Sequence, residues 1–569
     1  MTVVASARPI SFDGERKSQL ETARFRLMLI AMLMFLSFGV LGFRTLDLGM
    51  SSGVVHRTAP EIFVAPVELA RADILDRNGE VLATNLETYS LYADTRQIKN
   101  PEEVAAGLVR VLPELTMSEV EAKLKSGRSF VWLKRKLTPS QHWAVNALGV
   151  PGFEYRREEE RVYPHGSLAS HVLGYVDPDG NGLGGVEHFF NDTLGDKNLS
   201  DRSLKLSLDI RVQHALADEL QSAMRAHEAV GAGGLVMDVR TGELLALVSL
   251  PDFDPNQSGR AQPESMFNRV TMGLYELGST FKTFTLAAAL DSGQVTMNDG
   301  YDASKPIHIS KYWIKDDHPK ARYLSVPEIY TYSSNIGMAH MADEMGSDKQ
   351  REFLRTLGLL EPATVELTEV GSPVYPKNWG RINTMTISYG HGIQVSPLNL
   401  ALGIASMVNG GQRIPATLVY KDDNAYIDNR RVIKAKTSEQ IRKLMRMVVK
   451  EGTGSHAEAI GYRVGGKTGT AEKAKSDSRG YDKKSLISSF VGVYPMDDPQ
   501  FVVFAMLDEP KGTKATYGFA GGGWTAAPTV RNVIMRTAPL LGIAPKEEVK
   551  SDYQYIAMLI AEGRKKDNK

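Results

Sequence analysis

The sequence has no cysteine. Disulfides, thiolate metal sites and a cysteine nucleophile are therefore excluded, while the redox compartment stays open. An excess of either charge is also missing, with 67 Lys+Arg against 67 Asp+Glu. No global field draws the chain to nucleic acid, and none is expected as a partner. There is no HExxH pattern, and the 12 histidines are scattered. No metal, phosphate loop or cofactor is expected. Repeats and low-complexity tracts are absent. With 42% hydrophobic and 24% charged residues, the composition is that of an ordinary globular protein and not of a disordered one. The 569 residues allow about three to five domain-sized units, or fewer large ones.

Only one long apolar run is present, Leu27 to Phe43 (LMLIAMLMFLSFGVLGF), closed by Arg26 and Arg44. Its 17 uncharged residues meet the lower limit of about 17 for a spanning helix. Phe25 and Leu46 can extend it. A signal peptide would have a shorter core and end in a small-x-small cleavage site. Here Gly42, Phe43 and Arg44 follow, so residues 27–46 read as an uncleaved anchor. Arg8, Arg16, Lys17, Arg24 and Arg26 precede it, against Asp13, Glu15 and Glu21. That excess predicts a cytoplasmic tail over 1–26, with the rest of the chain outside the cytoplasm.

Residues 53–199 read as a mixed α/β region. Asp76-Arg77-Asn78-Gly79 is a turn between the strand-like runs ADIL and EVLATN. The spacing predicts one helix over Pro101–Lys125. Arg156 to Arg161 reads as a solvated charge cluster. From 204 to 545 the texture changes. LKLSLD alternates as a strand, and Ile210–Ala226 has helical spacing. GGLVMDV and ELLALVSL form a hairpin around Arg240-Thr241-Gly242. Helices are predicted over Leu398–Met407, Ser438–Lys450 and Ala527–Thr537. Leu486–Val493 and Phe501–Leu507 read as late strands. Strands at both ends with helices between predict an α+β domain whose sheet is closed by distant segments. Residues 546–569 read as a charged tail.

Ser279-Thr280-Phe281-Lys282 is the single SxxK in the chain. It opens a helical run, so Ser279 falls at a helix start, with Lys282 about one turn on. A lysine there can take the serine's proton if burial or a second cation lowers its pKa. Alone, the pattern is also that of an N-cap serine and a surface lysine. Ser333-Ser334-Asn335 is the single SxN, and Lys467-Thr468-Gly469-Thr470 follows a strand-like lead-in. On a strand, Lys467 and Gly469 share one face and Thr468 and Thr470 the other. Gly469 would let a substrate backbone approach. The two segments also read as a helix cap and a strand edge, but all three motifs in this order are hard to obtain by accident.

The triple SxxK, SxN, KTG resembles the penicillin-recognising serine acyltransferases. RADILDRNGEVLATN (71–85), RVYPHGSLASHVLGYV (161–176), GLGGVE (182–187), FNRVTMGLYELGSTFK, ISYGHGIQVSPLNLA, VVKEGTGSHA, GGKTGTAEK and AAP (526–528) are similar to class B penicillin-binding proteins. Ala72 stands where that family usually has Gly, and Leu277 where Pro is common. Neither touches a reacting group. The SSN form and the length look more like the division-specific septal transpeptidase than the elongation enzyme. The alternatives are that elongation enzyme and a non-catalytic penicillin sensor or scaffold. A soluble β-lactamase would be about half as long, and a bifunctional class A protein would need a glycosyltransferase domain before Ser279.

The resemblance implies peptidoglycan stem-peptide cross-linking. Ser279 would be the nucleophile, Lys282 its base and Ser333 a proton relay linked to Lys467. Asn335 would bind the substrate amide. Thr468 and Thr470 would hold its carboxylate near Lys467, with Gly469 between them. Backbone N–H groups of Ser279 and Thr470 would form the oxyanion hole. β-Lactams would be inhibitors. Residues 53–199 would be a pedestal or dimerisation domain meeting a SEDS-type lipid II polymerase and other divisome proteins. The anchor would lie in the inner membrane, with the catalytic domain in the periplasm.

Overall fold

The computed structural model describes residues 13–51, 71–196, 203–310, 312–421, 430–474 and 480–547, together with 554, 556–558, 560 and 561. Part of the expected N-terminal tail, the stretch 53–70 and most of the tail from 546 lie outside the described residues. The chain divides into two units, Met1–Leu69 and Ala70–Lys569.

The first unit holds helix α1 (Asp13–Ser51). Its apolar stretch, Arg24–Thr45, is 22 residues long. At about 1.5 Å per residue that length crosses a ~30 Å hydrocarbon core. Among the described residues of the unit its large apolar side chains have no packing partner, Phe35 being 83% exposed. Among the described residues it is the one helix long and apolar enough to cross a membrane.

The second unit begins with a five-stranded sheet of β1 (Ile74–Leu75), β2 (Val81–Ala93), β3 (Val131–Leu137), β4 (Phe153–Val162) and β5 (Leu204–Lys205). The Asp76 carboxylate makes the β1–β2 turn by accepting the N–H groups of Asn78 (2.7 Å) and Glu80 (2.9 Å), and Gly79 takes φ +91°. The other oxygen of Asp76 accepts from Ile210 N at 3.2 Å, and Arg77 N donates to Leu208 O. This turn therefore also fastens the sheet to the start of the next helix.

Three expectations for this part need correction. Pro101–Lys125 is two helices, Pro101–Val111 and Met117–Leu124. Pro113 forces Leu112 out of helical geometry, to φ −125°, ψ 76°. LKLSLD forms a strand only at Leu204–Lys205, with Leu206 making a single bridge to Val419, and Asp209 caps the following helix by accepting from Arg211 N. The charge cluster at 156–161 lies on β4 and is not simply solvated. Glu158 accepts from Ser90 and Arg135, and Arg161 is buried.

The larger sheet is antiparallel throughout. Helix α2 (Ile210–Ala226) precedes the hairpin β6 (Gly231–Asp238) and β7 (Leu244–Leu250). Three late strands, β8 (Gly465–Ala474), β9 (Tyr481–Tyr494) and β10 (Phe501–Asp508), complete the order β8-β9-β10-β6-β7. The segments between supply helices α3 (Lys282–Asp291), α4 (Asn335–Met345) and α5 (Ala435–Glu451), and α6 (Ala526–Thr537) ends the domain. β6, β7 and β10 are covered on both faces, which explains their continuous apolar runs. On β6, Leu235 and Met237 join the core of α3 and α5, while Val236 joins that of α2 and α6. β8 is one of the two edge strands, so part of its backbone has no partner in the ladder.

Candidate active site

Ser279 lies in a 3₁₀ turn, Gly278–Phe281, and α3 begins only at Lys282. The turn is pressed against β8. Gly278 has φ +53°, and a Cβ there would come within 2.5 Å of Thr470 O. A Cβ on Gly469 would meet Leu277 O at 2.5 Å. The room left by Gly469's missing side chain is thus filled by the turn that carries Ser279 and by Ser489 Oγ of β9. Only Gly469's strand backbone remains to meet a substrate. Among the described residues the Ser279 hydroxyl has no hydrogen-bond partner and is partly exposed.

Both motif lysines are fully buried and meet at one hydroxyl. Lys282 Nζ donates to Ser333 Oγ at 3.0 Å, and also to the Ser333 carbonyl. Lys467 Nζ donates to the same Oγ at 2.9 Å. The amines are therefore at most two hydrogen-bond lengths apart. Burial pulls Lys282 from 10.5 down to about 7, against the raising effect of Asp316 and Asp317. Lys467 falls well below an ordinary lysine, first through burial and then through the charge of Lys282. Ser333 itself has φ +63°, the left-handed region that L-residues avoid.

The other motif residues ring this centre. Asn335 opens α4, its N–H donating to Asp316 Oδ1 (2.6 Å) and its Nδ2 to Lys315 O (2.8 Å). The Thr468 hydroxyl pairs with that of Thr453 at 2.8 Å and receives a long contact from Lys467. Thr470 is exposed, and its hydroxyl accepts from Gly522 N at 3.0 Å. Contrary to the expectation that no phosphate-loop pattern is present, residues 461–468 (GYRVGGKT) carry the GxxxxGK[ST] spacing. That motif needs a loop leading into a helix. Here Lys467 is buried on a strand, and no such loop forms.

No sequence motif marks Asp316. No spacing rule links an aspartate to a helix start this far along the chain. Arg71, Arg161 and Glu187 lie in the pedestal's family motifs, which leave them equally open to docking a partner or to pairing within the pedestal; the structure pairs both arginines with Glu187. Its fully buried carboxylate takes Arg71 Nε at 2.6 Å and Arg161 Nε at 2.7 Å, the arginine side chains being 9% and 2% exposed. The three charges face one another.

Two family models match the chain: "Penicillin binding protein transpeptidase domain" over residues 232–535 and "Penicillin-binding Protein dimerisation domain" over 66–205. The chain belongs to the class B penicillin-binding proteins. It is 39% identical to the "Probable peptidoglycan D,D-transpeptidase FtsI" of Caulobacter vibrioides over 85% of this chain and 83% of that protein. Identity to the Escherichia coli K12 "Peptidoglycan D,D-transpeptidase FtsI" is 28%, over 88% of each chain. "Stage V sporulation protein D" of Bacillus subtilis is 32% identical over 86% of this chain and 81% of its own. The crystal structure of penicillin binding protein 3 from the Mycobacterium tuberculosis organism, complexed with aztreonam, superposes with a TM-score of 0.66 at 22% identity. It covers 84% of this chain and 97% of that one, and it shows the shared fold. An α+β penicillin-binding protein with an N-terminal apolar helix is thus the architecture of this chain.

Proposed function

We propose that this penicillin-binding protein is a serine D,D-transpeptidase that cross-links peptidoglycan stem peptides during septum formation, with Ser279 as its nucleophile. The observation that carries the site assignment is the meeting of Lys282 and Lys467 at Ser333 Oγ. Two amines so close and so buried do not both hold a proton, and a neutral lysine is the base that a serine needs. The names of the relatives supply the substrate class.

Ser279 Oγ attacks the carbonyl between the two terminal D-alanines, and its proton passes to Lys282. Backbone N–H groups of Ser279 and Thr470 hold the oxyanion. Losing one donor of such a pair typically costs about 3–4 kcal/mol of barrier. Ser333 relays the proton to the leaving amine, D-alanine departs, and the acyl-enzyme passes to the amine of a neighbouring stem. Asn335 binds the substrate amide. Thr468 and Thr470, with Lys467 behind them and Gly469 between, hold the terminal carboxylate. A β-lactam enters the same path and stays as the acyl group.

In this reading residues 53–199 are a pedestal and 204–545 the catalytic domain. The anchor sits in the inner membrane with residues 1–26 cytoplasmic, as the arginines before it favour. The pedestal and anchor meet a SEDS-type lipid II polymerase and other divisome proteins.

The test is mass spectrometry after penicillin labelling. The adduct is expected on Ser279, and Ser279→Ala is expected to abolish it with melting unchanged. Stoichiometric labelling of that variant would refute the nucleophile. Labelling without release of D-alanine from a stem peptide would make the protein a sensor.

A further inference from the structure

The strained Ser333 is held from its C-terminal side. Ser334 is the N-cap of α4, its hydroxyl accepting from Gly337 N at 3.0 Å. The remaining donors of the first turn go to a carboxylate from elsewhere in the chain. Asp316 follows the small hairpin Ile307–Ile309/Tyr312–Ile314. Its Oδ1 accepts from Asn335 N (2.6 Å) and Ile336 N (3.0 Å), and its Oδ2 accepts from Ser334 Oγ (2.8 Å). These bonds are charge-assisted, and a helix N-terminus favours the negative charge. Asn335 Nδ2 adds a tie to Lys315 O.

We propose that Asp316 is a positioning residue of the acyl-transfer site: its carboxylate clamps Ser334 and Asn335 so that the Ser333 hydroxyl stays between the two lysine amines. The proposal rests on the reading of Ser279 as nucleophile. Asp316 has two separable effects. Its bonds fix a left-handed residue that would relax if its neighbours moved. Its charge faces Lys282 and, with Asp317, favours that amine's protonated form, while burial and the Lys467 amine disfavour it. The buried Tyr330 phenol, bonded to Thr283 at 2.9 Å, stays neutral.

Two variants separate these effects. Asp316→Glu keeps the charge but displaces the carboxylate by about one C–C bond, roughly 1.5 Å. It is expected to slow penicillin acylation by up to about 10²-fold, with the rise of rate with pH left in place. Asp316→Asn keeps an acceptor for the two backbone N–H groups and loses the charge. The midpoint of its pH rise is expected to move down by about one unit, because Lys282 loses its proton more easily.

The measurement is the labelling rate of the detergent-solubilised full chain with a fluorescent penicillin from pH 5 to 9, with melting curves beside it. Should Asp316→Glu not fold, the nearly isosteric Asn variant carries the test. Lowered melting with the parent's rate and midpoint makes Asp316 merely structural and overturns the proposal. So does unchanged behaviour of both variants. A parent chain that is not labelled on Ser279 instead removes the reading beneath it.

Discussion

Lys282 can accept the Ser279 proton only when it is neutral, so acylation is expected to rise with pH through about 7. Burial brings its pKa from 10.5 to about 7. At pH 7 about half the molecules then hold a neutral amine, against roughly one in 3,000 for a solvated lysine. The shift amounts to about 5 kcal/mol, at about 1.4 kcal/mol per unit. Stability moves with it, and the sign is fixed. Between pH 10.5 and about 7 the unfolded chain binds this proton and the folded chain does not. Stability therefore falls as pH drops across that window and levels below it. Lys282→Met fills a similar volume and needs no proton. The variant is expected to lose acylation and to melt higher than the parent at pH 7, the gap narrowing towards pH 10.5. The lost bonds to Ser333 offset part of the gain, leaving about 2–3 kcal/mol. Lys467, freed of the Lys282 charge, keeps its proton to higher pH in the variant. The assay is the second-order labelling rate by a fluorescent penicillin from pH 5 to 10, with melting in the same buffers. A rate flat from pH 5 to 9, or a melting gap equal at pH 7 and pH 10, would defeat the argument.

Other outcomes follow from the same structure. Arg71→Ala leaves Glu187 with one guanidinium in a buried site, and breaking such a pair costs about 3–5 kcal/mol. The variant should melt well below the parent in purified protein, and an unchanged melting curve would return Arg71 to the role of a partner contact. Protease added outside spheroplasts should digest everything beyond the anchor and leave a small N-terminal fragment. Full protection would reverse the orientation.

Segments ruled by local periodicity were legible in the sequence. Ile210–Ala226 is a helix over those same residues, and the β6–β7 hairpin turns at Arg240-Thr241-Gly242. β9 runs several residues beyond its apolar core, because pairing with β8 continues towards Tyr481, whereas β10 exceeds its core only by the buried Asp508. What was hidden depends on partners distant in the chain. Arg161 stands among six other charged residues on β4, and nothing local separates it from its solvated neighbours. Its burial follows from Glu187 lying opposite. The break at Leu112 was visible in principle, since Pro113 is in the sequence, and the apolar spacing masked it. For the site, residue types and order picked out the three motifs. That their side chains converge on Ser333 could not be read from spacing, because it depends on how α3, α4 and β8 pack.

That convergence has a cost that the rest of the fold has to cover. A buried amine pair and a left-handed serine are each unfavourable alone, and none of the three motifs would hold its geometry as an isolated segment. The surrounding contacts remove the alternatives. Gly278 and Gly390 have no Cβ, so the nucleophile's turn can be wedged between β8 and residue 390, whose own Cβ would come within 2.1 Å of Gly278 O. A side chain at either place would push Ser279 away from Lys282. Asp316 and Ser334 fix the other side through the first turn of α4. The neutral base and the free nucleophile are thus products of rigidity: both lysines are fully buried, and among the described residues the Ser279 hydroxyl has no neighbour to bond. A fold that allowed either relaxation would gain stability and lose the state in which a serine can be acylated.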